Sequence, residues 1–120
     1  MPPRRRRDPV EVWAAVDRVL AGSRERVDVA LAVRGLAEQL AERSPGRSVE
    51  LRVPPHSAVQ LVEGTRHTRG TPPTVVEVDP VAFVELCTGR LAWPDAAADG
   101  RVRATGERGD LSALLPLTRT

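Results

Sequence analysis

Two consecutive prolines, Pro54 and Pro55, stand between two short stretches whose side chains alternate in character, and this arrangement sets the centre of the fold. Ahead of them Val49, Leu51 and Val53 alternate with Ser48, Glu50 and Arg52, the pattern of a strand with one buried face. Beyond them residues 57–62 resume the alternation, with Val59 and Leu61 on one face and Gln60 on the other, so the two stretches are expected to pair antiparallel. A sheet that is apolar on one side only needs a layer of helices on that side.

The flanking sequence supplies that layer. Asp8-Pro9-Val10-Glu11 combines an N-cap, a proline at the first helical position and an acid placed for a capping box. Val12, Trp13, Val16, Val19 and Leu20 then form an apolar face, and Gly22 supplies the stop. From Asp28 a second helix carries Leu31, Leu36 and Leu40 until Ser44-Pro45-Gly46 ends it. Gly35 in its middle costs about 1 kcal/mol against Ala, and close packing on the sheet is the expected reason for it. Residues 63–73 read as an exposed loop or a distorted edge, because they hold two glycines and no Ala, Val, Leu, Phe or Trp. Residues 74–78 form a strand, and Asp79-Pro80 launches a helix bearing Val81, Val84 and Leu86. A brief helix at 94–99, a strand through Val102 and Ala104, and an amphipathic stretch from Asp110 complete the order. The expected fold is α+β: a small, mixed, mostly antiparallel sheet of four to five strands covered by helices, with an added N-terminal helix over 8–22.

Composition bounds what such a domain can do. A chain of 120 residues allows one domain and one core. Only Trp13, Phe83 and Trp93 are aromatic, so Leu, Val and Ala must fill the interior, and these leave grooves more easily than they fill them. Every one of the 18 basic residues is Arg, and Lys, Ile, Asn and Tyr are absent, the residue usage of a GC-rich genome. A net charge of +2 and the lack of stacking aromatics argue against a nucleic-acid partner. The four arginines at 4–7 open a basic tail over 1–7, and no apolar run follows them, so neither export nor membrane insertion is expected and the cytoplasm is the expected compartment. A single cysteine, Cys87, excludes an internal disulfide and reads as a small buried hydrophobe.

The catalytic inventory is thin. His56 and His67 lack metal-ligand spacing, Ser57 beside His56 would point to the opposite face of a strand, and no phosphate loop or nucleophile elbow is present. Neither a metal nor a cofactor is expected, and the chain reads as a non-enzyme. Arg66-His67-Thr68-Arg69, flanked by Gly64 and Gly70, has two readings. It is an anion-binding loop built from Arg66, His67 and Arg69, or a hairpin tip held by pairing with Glu63 and Glu77.

Residues 86–106 carry the most specific signal: Leu-Cys-Thr-Gly-Arg-Leu, then Trp-Pro-Asp-Ala-Ala, then Gly-Arg-Val-Arg-Ala-Thr-Gly. This stretch resembles the sterol-carrier-protein family, as do residues 52–60, 66–73 and 78–80, which are similar to its bacterial single-domain branch in high-GC Gram-positive organisms. The resemblance covers about residues 27–117 and leaves the helix over 8–22 outside. It implies a non-enzymatic lipid-binding domain with an apolar cavity for a fatty acid, acyl thioester or sterol-like molecule. Leu86, Leu91, Trp93, Leu111, Leu114, Leu115 and Leu117 are the implied lining, with an anionic head near Arg66, His67 and Arg69. Leu114 and Leu117 are expected to serve as a mobile cover and Leu111 as core, with Pro116 cutting the last helix short. The alternative is an accessory, thiol-binding or substrate-binding module related to the C-terminal domain of mycothiol-dependent isomerases, acting with an enzyme partner in trans.

Overall fold

The computed structural model describes residues 7–64, 74–106 and 109–119. Its elements run α1 (Pro9–Leu20), α2 (Arg26–Arg43), β1 (Val49–Val53), β2 (Ser57–Leu61), β3 (Thr74–Val78), α3 (Pro80–Cys87), α4 (Trp93–Ala98) and β4 (Val102–Thr105), then a 3-10 turn at Ser112–Leu114. The four strands form one sheet in the order β2-β1-β3-β4. β1 pairs antiparallel with β2, parallel with β3, and β3 pairs antiparallel with β4. This is the mixed, mostly antiparallel α+β arrangement expected from the alternation.

Register explains which face is covered. Val49 lies opposite Leu61 and Leu51 opposite Val59 and Val76, while Val78 lies opposite Val102, so one face of the sheet is mainly apolar, with Ser57 and Thr74 at its margins. On the other face Arg52 stands opposite Glu77, which stands opposite Arg103. Arg103 donates to Glu77 at 3.1 Å and to Asp79 at 3.0 Å there, so this surface is a charged lattice open to water. Asp79 precedes α3 but does not cap it through its side chain, contrary to the role expected of an Asp-Pro pair, because that carboxylate is taken by Arg103. Asp8 does cap α1, accepting from the Val10 amide at 2.9 Å.

Helix α2 lies over the β2 side of the apolar face, α4 packs on β4, and α1 packs on α2 and α3 rather than on the sheet. The expected reason for Gly35 is therefore corrected: the close neighbour is α1. A Cβ at residue 35 would overlap both γ-methyls of Val12 and lie 2.9 Å from its Cβ. Asp28, expected to open α2, instead sits in its first turn, where Arg18 at 2.8 Å and Ser23 at 2.6 Å tie it to the end of α1. The last stretch departs furthest from its helical pattern. After Gly109 it makes a single 3-10 turn, is extended at Leu115, bends at Pro116 and runs on without helix or strand to residue 119, since Pro116 cannot donate to a helical ladder and a helix so short does not nucleate.

Candidate functional site

The end of α3 builds one wall. Thr88 Oγ1 donates to the Val84 carbonyl at 2.9 Å, Gly89 takes a left-handed φ of 78°, and the amides of Arg90 and Leu91 both turn back to the Glu85 carbonyl. This reversal throws Leu91, Ala92 and Trp93 back across the end of the helix and starts α4 at Trp93-Pro94. The C-terminal segment builds the other wall. Asp110 accepts from the Ser112 amide at 2.9 Å, which begins the 3-10 turn, and beyond it Leu117 donates its amide to the Cys87 carbonyl at 2.8 Å. Pro116 is held against Gly89, where a Cβ would make ordinary contact with the proline ring at 3.6 Å.

Between these walls lies a recess of about 200 Å³ lined by Leu86, Leu91, Ala92 and Trp93 on one side and Ser112, Leu115 and Pro116 on the other, with Gly89 at its edge. Four of the seven apolar positions singled out from the sequence, Leu86, Leu91, Trp93 and Leu115, thus come together around one space. The other three do not line it. Leu111 at 3% exposure and Leu117 at 6% belong to the main core, and Leu114 packs half-buried against that core. Leu117 is therefore core rather than cover. Its helical spacing from Leu114 loses meaning once the segment leaves the helix.

The segment is anchored beyond Leu117. Buried Gln39 donates to the Thr118 carbonyl at 2.7 Å, satisfying a polar group that α2 would otherwise leave dry. Arg119 grips Asp17 of α1 with both Nη atoms, at 2.6 and 3.0 Å, and its guanidinium lies 4.8 Å from the Trp13 ring centre. The hydrogen bonds from Arg119 hold the Asp17 carboxyl below its usual pKa. Such a clamp contributes fully above the ordinary carboxylate pKa and is lost as pH falls through the lowered one. Arg119→Ala is expected to leave the melting temperature nearly unchanged, because exposed pairs stabilise little, yet to speed amide exchange at Leu117, whose bonded amide reports on the segment's hold. Unchanged exchange at that amide would show that Gln39 and Leu117 hold the segment without the clamp.

Burial pushes the Cys87 thiol far up, so it is unsuited to nucleophilic or exchange chemistry. His56 is half-buried in the turn after β1, where its carbonyl accepts from Arg34 Nε at 3.0 Å; burial first, then the nearby Arg34 and Arg26, holds its imidazole below the usual value. No cluster of metal-ligating side chains occurs among the described residues, and no helix there is long and apolar enough to cross a membrane. Arg66, His67 and Arg69 lie outside the described residues. Glu77, one suggested partner for them, accepts from Arg103.

A cation the sequence reading passed over is Arg90. It is exposed, its charge helps to lower the Asp17 carboxyl, and in the chain it sits between Gly89 and Leu91, both of which line the recess. Its signal was present in the Thr-Gly-Arg-Leu run, but whether an arginine there faces a recess or open water depends on the reversal at Gly89.

No curated protein matches the chain. The family described as the bacterial SCP ortholog matches residues 25–117, from the start of α2 to Leu117, leaving α1 and the Thr118-Arg119 anchor outside the matched span. With about three quarters of its length matched and the four-stranded α+β architecture in place, the chain belongs to the bacterial, sterol-carrier-protein-like SCP family.

Proposed function

We propose that this protein is a non-enzymatic carrier that holds the aliphatic tail of a fatty acid or acyl thioester in the recess between α3 and the C-terminal segment. The observation that carries this reading is the convergence of Leu86, Leu91, Trp93 and Leu115 on one recess in a member of the SCP family, whose general role is lipid binding and carriage. Such side chains offer a tail about 25 cal/mol for each Å² of apolar surface removed from water, and they offer a reacting group nothing. The acidic head is assigned to Arg90, the chain neighbour of the lining residues Gly89 and Leu91, with Arg66, His67 and Arg69 as the second candidate cation set. A soluble protein carrying its lipid through the cytoplasm is the setting that this chemistry suits.

The test is saturable binding of a fluorescent polyene fatty acid and its displacement by laurate. Micromolar or weaker affinity is expected, because a small recess leaves part of the tail in water. Arg90→Glu should weaken laurate several-fold and leave lauryl alcohol unaffected; the same selectivity in Arg66→Glu instead would move the head to the 66–69 loop. Absence of displaceable binding would remove the carrier reading and favour an accessory module for a polar, thiol-bearing substrate.

A further inference from the structure

A second recess, of about 240 Å³, opens on the other side of Trp93. It is lined by Trp93 and Ala97 of α4, Val102 and Ala104 of β4, and Gly106, Gly109 and Asp110. Trp93 is the one residue common to both linings, and the C-terminal segment runs along both: residues 109 and 110 border the second, residues 112, 115 and 116 the first. Gly109 is what lets the segment pass so close under β4, since a Cβ there would overlap the Ala104 methyl. Each recess alone falls below the roughly 300–1,000 Å³ of ordinary ligand pockets, whereas the two joined would fall inside that range.

We infer that Trp93 is a partition that sets the length of the aliphatic chain this protein retains, stopping the tail in the first recess and shutting it out of the second. The inference rests on the carrier reading above and adds to it a residue that determines specificity. Position and exposure favour this role for the indole. Trp93 is the first residue of α4, partly buried against the core and bordering both recesses, so it divides the space without being an element of the deep core. Val102 and Ala104 give the second recess an apolar floor that accepts methylenes once the partition is gone.

The experiment compares displacement of the polyene probe by octanoate, laurate and stearate, each below its micellar concentration, for the native protein, Trp93→Ala and Trp93→Leu. In the native protein affinity should rise from octanoate and then level off, since further methylenes stay in water. In Trp93→Ala each methylene that enters the second recess should add up to about fourfold, so stearate should overtake laurate by at least about tenfold. Trp93→Leu keeps apolar packing while shortening the barrier, and it should lie between the two. A chain-length profile that is the same in all three proteins, or an equal loss for every acid, overturns the partition while leaving the carrier reading intact. If the native protein displaces no probe with any acid, the carrier reading itself falls. Should Trp93→Ala fail to fold, the Trp13→Phe protein leaves Trp93 as the sole indole. Its emission should then shift with laurate and stearate but not with octanoate, and a shift of equal size with all three would refute the inference.

Discussion

Leu117→Asp is expected to abolish the cooperative thermal transition, while Leu114→Asp three residues earlier should melt within a few degrees of the native protein. Leu117 is 6% exposed inside the main core, its amide is bonded to the Cys87 carbonyl, and the next carbonyl accepts from buried Gln39. A carboxylate placed there has no cation to pair with in that apolar cluster, and burying it unpaired costs several kcal/mol. The total stability of a domain this size is roughly 5–15 kcal/mol, so most of it is spent in one substitution. Leu114 only leans on the core and can turn a polar group to water. Circular dichroism melts of the two variants decide the matter. Equal melting of both would mean that the C-terminal segment detaches without cost and that its anchors are incidental.

Gly35→Ala should destabilise the protein although it improves helix propensity. Replacing a mid-helix glycine by alanine normally gains about 1 kcal/mol. Here the added methyl meets Val12, whose branched side chain is stiff at χ1 and sits in the buried α1–α2 contact. Overpacking of this kind costs about 1–3 kcal/mol, so α1 is pushed away or Val12 is forced off its rotamer, and the melting point should drop by several degrees. Val12→Ala in the same protein should recover most of the loss, giving a favourable coupling between two mutations that are each harmful alone. If Gly35→Ala raises the melting point, α1 is not seated on α2 at this glycine.

Both results bear on the recess at one remove. Helix α1 lies outside the matched family span, yet through Asp17 and Trp13 it grips Arg119 and so steadies the segment that forms one wall. The charged outer face of the sheet, by contrast, is occupied by its own ion pairs, Arg103 with Glu77 and Asp79 across strands and Arg52 with Glu50 along β1. The open groove of about 510 Å³ on this side, near Pro54, Pro55 and Ala58, is bordered by the charged Arg52 and Glu77 and by His56.

Local chemistry was legible wherever one residue type decides one backbone event. The alternation at Val49, Leu51 and Val53, the break at Pro54-Pro55 and the Asp-Pro and Gly boundaries gave β1, β2, α1 and α3, because period and φ restriction act within a few residues. The run around Thr88-Gly89 carried the family and, with it, four residues of the recess lining. What neighbour Gly35 admits, which partner claims Asp79, and whether Leu117 is cover or core are different in kind. Each is set by a residue distant in the chain: Val12 for the first, Arg103 for the second, Cys87 and Gln39 for the third. A leucine stripe states only that side chains prefer to leave water. The partner they leave it for is chosen by close packing among elements far apart in sequence, and that choice belongs to the tertiary structure alone.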